Sequence, residues 1–357
     1  MTRARLRDLG ITIGTLPTGE HNAITDVPGI WVGHSTIIAD EPRVARTGVT
    51  IITPREGMID HNQAFAGYHS FNGNGEMTGL LWVEESGMLG SPIAITNTHQ
   101  VGVVRDALVA YEAERGDGTR FFLPVVAETF DGWLNDIGGF HVTKEHVYAA
   151  LAAARGGPVA EGNVGGGTGM MCHDFKGGIG TASRVVDSQS GHYTVGALVQ
   201  ANYGSRHLLR VDGVPVGREI GFEHTPAPRR EAPRTGSIIV VIASDAPLLP
   251  MQCKRLAQRA TVGLARAGGV GANSSGDIFL AFATGNDLLL GAKAPVELRM
   301  VPNHHMTPFF EAVAEAVEES ILNALTAAET MVGFQGRTAY ALPLDELQRV
   351  WRKHRPA

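Results

Sequence analysis

The stretch from Thr225 to Asp245, TPAPRREAPRTGSIIVVIASD, joins a polar segment rich in proline and arginine to an almost uninterrupted β-branched run. The run from Ile238 to Ile242 predicts a buried strand. The segment before it contains three prolines and has no apolar period, so we expect a surface linker. The Gly236–Ser237 junction is therefore predicted to lie where an exposed linker enters a core strand.

A serine at such a junction has a chemical use if the bond before it is cut. As a new N-terminus, Ser237 would carry a hydroxyl nucleophile and, in its own α-amino group, a base. An α-amine has a pKa of about 8, so part of it is neutral near pH 7. Gly236 tolerates the strained backbone that brings the hydroxyl to its own carbonyl. The alternative on this stretch alone is an ordinary serine at a loop-to-strand boundary.

The composition is that of an ordinary globular chain. The 357 residues are 43% hydrophobic and 18% charged, with a formal net charge of −6. This mildly acidic balance provides no electrostatic footprint for nucleic acid or an anionic membrane. The N-terminus lacks the apolar region of a secretory signal, and no stretch approaches 18 apolar residues. We therefore expect a cytoplasmic protein in which Cys172 and Cys253 are free thiols.

The predicted elements alternate irregularly between strands and helices, with the folded part opening at residue 22. Strands are expected at 48–53, 79–85, 91–98, 124–128, 193–202, 237–243 and within 273–285, and helices at 101–115, 144–155, 251–267 and 307–330. No regular strand–helix repeat is present, which argues against a TIM barrel or a Rossmann fold. The order favours antiparallel-rich sheets covered by helices.

The sequence lacks the motifs of metal sites, of phosphate-binding loops and of the serine nucleophile elbow of α/β-hydrolases. Fourteen histidines are present, but none forms an H-E-x-x-H or a zinc-type spacing with cysteine. The segment 162–170, GNVGGGTGM, lacks the Lys-Ser/Thr of a phosphate loop; we interpret it as a tight glycine turn, with nucleotide binding as the alternative. Ile239 stands where a G-x-S-x-G elbow needs glycine. We expect no metal and no cofactor.

A second polar cluster precedes another apolar run. In NSSGDIFLAF, Asp277 follows Ser275 by two residues, so both side chains point to one face if the segment is extended. A hydroxyl–carboxylate pair of this kind could orient the α-amine of Ser237 or relay its proton. The alternative is a simple serine–aspartate turn.

These blocks together resemble the L-aminopeptidase/D-esterase (DmpA) and β-aminopeptidase family of self-processing N-terminal-nucleophile serine peptidases. The likeness rests on TGSIIVVIASDAPLLP and SSGDIFLAF, and extends in the same order through NAITDVPGIWVGH, TNTHQVG, VVAETFDGWLND, GNVGGGTGM and LVQANYG. It implies an α+β fold, a four-layer αββα sandwich of the type shared with ornithine acetyltransferases. It further implies one peptidase domain, residues 1–357, self-cleaved into a large chain (1–236) and a small chain (237–357).

The resemblance also assigns roles to matching positions. It makes Gly236–Ser237 the self-cleavage bond and its serine the nucleophile. Ser275 and Asp277 match the supporting serine and acid, and Asn202 matches the side-chain donor of the oxyanion hole. Such a donor stabilises a developing alkoxide by a few kcal/mol. Glu128 matches the acid that holds the free amino group of the substrate.

Two positions distinguish the branches of this family. Phe130 stands where the aminopeptidase/esterase branch has a tyrosine, and this favours the β-aminopeptidase branch. Asp277 is shorter than the glutamate of the β-aminopeptidases and favours the other branch. The resemblance implies an aminopeptidase or amidase that takes short peptides, amino acid amides or esters and forms homo-oligomers of processed heterodimers. An acyltransferase of the ornithine acetyltransferase type and an uncleaved, non-catalytic binding protein stay open as alternatives.

Overall fold

The computed structural model describes residues 3–116, 118–223, 225–227 and 236–355. The strands are β1 (Trp31–Ala39), β2 (Ala45–Thr53), β3 (Asn62–Gly73), β4 (Met88–Leu89), β5 (Ile93–Asn97), β6 (Val125–Thr129), β7 (Met171–Cys172), β8 (Phe175–Lys176), β9 (Gly178–Ser188), β10 (Gly191–Asn202), β11 (Ser237–Ser244), β12 (Gly276–Leu289), β13 (Met331–Val332) and β14 (Thr338–Ala339). The α-helices are α1 (Leu80–Ser86), α2 (Val101–Arg115), α3 (Lys144–Ala153), α4 (Val216–Glu219), α5 (Pro250–Arg266), α6 (Thr307–Ala327) and α7 (Leu344–His354).

Two sheets form the centre of the molecule. One has four strands in the order β1-β2-β5-β6, and the other has six in the order β4-β3-β12-β11-β10-β9. The pairs β5–β6 and β11–β12 are parallel, and the other neighbouring pairs within these two sheets are antiparallel. The antiparallel-rich sheets expected from the element order are therefore confirmed.

Three apolar layers separate the sheets and helices into a four-layer stack. Along β11, Val240 and Ile242 pack towards α5 and α6, whereas Ile239 and Val241 pack towards the four-stranded sheet. This alternation follows from the period of two of a strand and explains why the run is apolar on both faces. A third cluster joins the four-stranded sheet to α2 and α3. The predicted αββα sandwich is confirmed.

The longer periodic elements lie where the sequence predicts them, and two expectations are wrong. The strand expected at 79–85 is the helix α1, which begins after Gly79 and ends at Gly87, both in the left-handed region. Seven residues are too few for periodicity to separate a strand from a helix. The folded part also begins before residue 22, because Leu6 and Ile11 are fully buried in the core.

The predicted linker falls mostly outside the described residues, since 228–235 is not among them. Before it, Thr225 is buried and its carbonyl accepts a hydrogen bond from Arg206. Cys172 and Cys253 are buried and unpaired, as expected. Among the helices described, none is long and apolar enough to cross a membrane.

Candidate active site

The candidate nucleophile lies at the end of a central strand of the six-stranded sheet. Ser237 is the first residue of β11 and pairs with Asn202 at the end of β10 and with Gly276 at the start of β12. Because β11 and β12 are parallel, their N-terminal ends lie side by side, and the C-terminal end of the antiparallel β10 lies next to them. Ser237 is only 5% exposed. The sheet thus assembles three segments that are distant in sequence.

The Ser237 hydroxyl lies against the peptide bond that precedes it. Its Oγ donates to the carbonyl oxygen of Gly236 at 2.7 Å and accepts from the Gly276 N–H at 3.2 Å. The same N–H donates to the Gly236 carbonyl oxygen at 3.1 Å. The Gly276 N–H therefore faces both the Ser237 hydroxyl and the Gly236 carbonyl that this hydroxyl would attack. A donor in this position stabilises a developing oxyanion.

Gly236 lies close to the end of β10. A Cβ at this position would lie 3.0 Å from the Cα of Tyr203 and 3.2 Å from the carbonyl oxygen of Asn202. Both are backbone atoms that cannot move aside cheaply. Close approach to the end of β10 therefore accounts for the glycine before Ser237.

Ser275 and Asp277 form the hydroxyl–carboxylate pair expected from their spacing. The Ser275 hydroxyl donates to Asp277 Oδ1 at 2.6 Å, and Asp277 also accepts a hydrogen bond from the backbone of Ile238. Burial raises the Asp277 pKa to about 6, although both hydrogen bonds act in the opposite direction. The carboxyl group is thus next to the backbone of the residue that follows Ser237, rather than bonded to the serine hydroxyl.

Gly236 separates two cavities. The larger, a cleft of about 500 Å³, is lined by Ser237 together with Glu128 and Phe130. The smaller, of about 80 Å³, is lined by Ser275 and Asp277. Gly236 borders both, so Ser237 and Asp277 line neighbouring cavities on either side of this glycine.

The Asn202 side chain is held by two backbone groups. Its Oδ1 accepts from the Met171 N–H at 2.9 Å, and its Nδ2 donates to the Phe130 carbonyl at 3.0 Å. These bonds fix which end of the amide carries the donors. The amide group has two N–H bonds, of which the bond to Phe130 uses one, and Asn202 lines the smaller cavity.

The glycine segment before Met171 packs between the sheets. Residues Gly165–Gly167 form a short 3₁₀ turn, and all three are buried. A Cβ on Gly166 would lie 2.2 Å from the Gln200 side chain, and one on Gly167 would lie 2.4 Å from the Ile179 backbone. The glycines thus permit close packing beside the site, which agrees with the tight-turn interpretation and leaves no open phosphate cradle.

Glu128 reaches the cleft from the four-stranded sheet. It is 3% exposed, near the end of β6. One carboxylate oxygen accepts from the Glu76 N–H at 3.0 Å, and the other accepts from the Thr98 hydroxyl. Burial raises the Glu128 pKa above its ordinary value, the two hydrogen bonds opposing the shift. The carboxylate is therefore desolvated and has no cationic partner among its hydrogen bonds, so an ammonium group would stabilise it.

Sequence reasoning missed the residues that hold Glu128. Thr98 and the loop at Gly75 and Glu76 line the same cleft. A Cβ on Gly75 would lie 3.0 Å from Glu128 Oε1 and 3.2 Å from the Gly276 Cα. Thr98 belongs to the block TNTHQVG that carries the resemblance, but nothing local in sequence links it to a carboxylate thirty residues later.

Phe130 lines the cleft, is 37% exposed and belongs to a cluster of aromatic rings. His99 contacts it edge-on, with ring centroids 6.4 Å apart, and stacks on Phe140 at 6.2 Å. Neither His99 nor Phe140 was predicted. Phe140 has a φ of 50°, which is unusual for a bulky residue and is not visible in a sequence pattern.

Comparisons with known proteins give a consistent result. The model of peptidase family S58 matches residues 22–339. A curated relative, beta-peptidyl aminopeptidase BapA of Sphingosinicella microcystinivorans, is 49% identical over 98% of this chain and 92% of its own length.

Solved structures agree with this match. A Burkholderia sp. beta-aminopeptidase is 55% identical with a TM-score of 0.91, covering 98% of this chain and 99% of its own. The L-aminopeptidase D-Ala-esterase/amidase from Ochrobactrum anthropi, described as a prototype serine aminopeptidase with a variant Ntn hydrolase fold, is 44% identical with a TM-score of 0.92 and covers 98% of each chain.

Proposed function

This chain belongs to peptidase family S58 and is a serine aminopeptidase, and we propose that its nucleophile is Ser237, freed when the chain cuts its own Gly236–Ser237 bond. The family, the fold type and the enzyme class expected from the sequence are confirmed by these relatives. The acyltransferase and non-catalytic alternatives receive no support from them.

The observation that carries the proposal is the position of the Ser237 hydroxyl at 2.7 Å from the Gly236 carbonyl oxygen. Attack of Oγ on that carbonyl carbon forms an ester and breaks the C–N bond, while the hydroxyl proton passes to the Ser237 nitrogen. Water then hydrolyses the ester, which leaves a carboxyl group on Gly236 and restores the hydroxyl. The Gly276 N–H stabilises the oxyanion of the first step. The products are chains 1–236 and 237–357.

The same serine then serves the substrate. Its Oγ attacks the scissile carbonyl carbon, and its own α-amine accepts the hydroxyl proton and returns it to the leaving amine. Ser275 and Asp277 support that amine from the smaller cavity. The remaining Asn202 N–H and the Gly276 N–H bind the oxyanion. Water hydrolyses the acyl-enzyme and completes the cycle without a cofactor.

Substrate choice follows from the cleft and from the relatives. The desolvated Glu128 binds the free amino group of the substrate, since its hydrogen bonds come from an N–H and a hydroxyl rather than a cation. Relatives at 49% and 55% identity are named for β-peptidyl and β-amino substrates. We therefore assign short peptides and amides with an N-terminal β-amino acid as the preferred substrates. We further propose a homo-oligomer of processed heterodimers.

The test is an intact mass spectrum of the purified protein. We expect two chains of about 25 and 13 kDa, in proportion to their shares of 37.9 kDa, and a small chain that begins Ser-Ile-Ile-Val on Edman sequencing. Ser237→Ala should stay one chain and be inactive. The matched Ser190→Ala, at a serine far from β11 in sequence, should be processed normally. Cleavage of the Ser237→Ala chain at the same bond would mean that another protease does the cutting.

A pair of p-nitroanilides tests the substrate class. The processed enzyme should hydrolyse the β-alanine compound with a higher kcat/KM than the L-alanine compound. The reverse order would replace the β-amino assignment with an α-amino one and leave the nucleophile assignment intact.

A further inference from the structure

The segment 290–300, with the sequence LGAKAPVELRM, is named the arm here. Every residue of the arm is exposed. Several are apolar: Val296, Leu298 and Met300 are each 47% exposed. Single exposed apolar side chains need no explanation, but three within five residues can form part of an interaction surface. The arm is therefore a candidate for association.

The arm lies at the end of the six-stranded sheet opposite the active site. β12 begins at Gly276 beside Ser237 and ends at Leu289, from which the arm continues. Fourteen residues of strand correspond to about 45 Å at roughly 3.3 Å per residue. The arm is thus remote from the cleft, and changes in it do not act on the chemistry directly.

Both ends of the arm are anchored. The Leu290 N–H donates to the His61 carbonyl at 2.9 Å. Near the other end, Asn286 donates to the Arg299 carbonyl at 3.0 Å and accepts from the Arg299 N–H at 2.8 Å. Val301, the next residue after the arm, is buried. An anchored apolar segment presents a defined surface.

The backbone between these anchors is open to pairing. Within the described residues, the N–H groups of Val296, Glu297 and Leu298 donate to no protein acceptor. Exposed backbone donors and acceptors beside apolar side chains are a template for strand addition by another chain. The alternation of Val296, Leu298 and Met300 with Glu297 and Arg299 has the period of a strand.

We propose that the arm pairs antiparallel with the arm of a second copy of this chain, across a two-fold axis at Leu298. In that register Val296 meets Met300, and Glu297 of each copy meets Arg299 of the other. The surface is therefore complementary to itself in both apolarity and charge, as a two-fold interface requires. This self-complementarity identifies a second copy, rather than an unrelated protein, as the occupant.

Further exposed apolar side chains lie on α5 and α1. Val301 binds the Pro247 carbonyl, and Met251 at the start of α5 is 64% exposed. Lys254 of α5 pairs with Glu84 of α1 at 2.7 Å. On α1, Leu81 is 88% exposed and Trp82 is 49% exposed. A stable interface uses about 20–30 residues on each side, so residues outside the arm must also contribute to it.

The inference rests on the homo-oligomer in the proposed function but not on its catalytic assignment. The experiment measures mass by light scattering coupled to size exclusion, on the full-length protein. Glu297→Arg and Arg299→Glu each place like charges opposite each other twice per interface, so each should lower the mass at micromolar concentration at least by half. The double variant E297R/R299E restores opposite charges and should recover the wild-type mass. Glu20→Arg, an exposed charge reversal elsewhere, should have no effect.

A second variant tests the axis itself. Leu298→Cys should form a disulfide-linked dimer on mild oxidation, because the two copies of residue 298 face each other. Wild type is the control, since Cys172 and Cys253 are both buried. The inference is overturned if wild type is monomeric, if both charge reversals keep the wild-type mass, or if the double variant does not recover it. Peptidase activity and processing are recorded in parallel, so their loss with unchanged mass would count against the catalytic proposal alone.

Discussion

Replacing Glu128 by glutamine separates recognition of the substrate amine from every other use of this carboxylate. The substitution keeps the shape of the side chain and removes its charge. The charge-assisted hydrogen bond between Glu128 and the substrate ammonium is worth about 1.5–3 kcal/mol. The expected loss in kcat/KM for a free-amine p-nitroanilide is therefore roughly 10- to 150-fold. Self-cleavage should survive, because the Gly236–Ser237 bond presents no free amine.

The thermal stability of Glu128→Gln provides a second test of the same residue. Burial raises the pKa of Glu128 above its unfolded value, so the folded protein favours the protonated form. Holding the charged form at neutral pH then costs stability. This cost is absent below the unfolded pKa, grows as pH rises from the unfolded to the folded pKa, and stays constant above the folded pKa. Glu128→Gln removes this cost, and we expect its melting temperature at pH 7 to equal or exceed that of wild type. A carboxylate with a purely structural role would lower it.

The assay compares a free-amine substrate with its N-acetylated twin in wild type and variant. We expect wild type to prefer the free amine strongly and Glu128→Gln to lose most of that preference. Asp131→Asn is a matched control, because Asp131 is a fully buried carboxyl group with its pKa raised to about 7 by burial. This control should change both substrates alike. If Glu128→Gln lowered the kcat/KM of both substrates equally, this result would refute the role of Glu128 in binding the free amine.

Three further changes follow from the geometry. Asn202→Ala should lower kcat by roughly 10²–10³ with little change in KM, as expected for an oxyanion donor; a change in KM alone, in steady-state kinetics, would contradict it. Asp277→Asn removes a negative charge beside the α-amine of the processed enzyme, so the acid limb of the pH profile of kcat/KM should move to lower pH by about one unit; an unmoved limb would disconnect Asp277 from that amine. Gly75→Ala places a Cβ 3.0 Å from Glu128 Oε1 and 3.2 Å from the Gly276 Cα, so it should lower kcat/KM about tenfold for the free amine and by a smaller factor for the N-acetylated twin, whereas Gly102→Ala, with no atom within 4 Å of its Cβ, should match wild type.

Local sequence patterns were sufficient for the long elements and for the pairing of two neighbouring side chains. The run after Ser237 is apolar at every position, and it forms a strand that is buried on both faces. The spacing of Ser275 and Asp277 places their side chains together, as the 2.6 Å hydrogen bond shows. The roles of these residues, of Asn202 and of Glu128 remain predictions. The strand predicted at 79–85 was wrong because the segment is too short to show a helical period. Its limits as a helix are set by Gly79 and Gly87, which flank α1.

Tertiary structure decided which distant residues share one site. The order of the six-stranded sheet places Asn202 and Gly276 on either side of Ser237, and stacking of the second sheet brings Glu128 into the same cleft. The residues that hold Glu128 come from two further loops, at Glu76 and Thr98. A short window of sequence records how a segment suits its own secondary structure, whereas strand order depends on long-range pairing and on packing between layers. Those energies belong to the assembled sheets. The sequence alone therefore predicted the nucleophile and the fold type. The residues around Glu128 and the ring contacts of His99 with Phe130 and Phe140 emerged only from the structure.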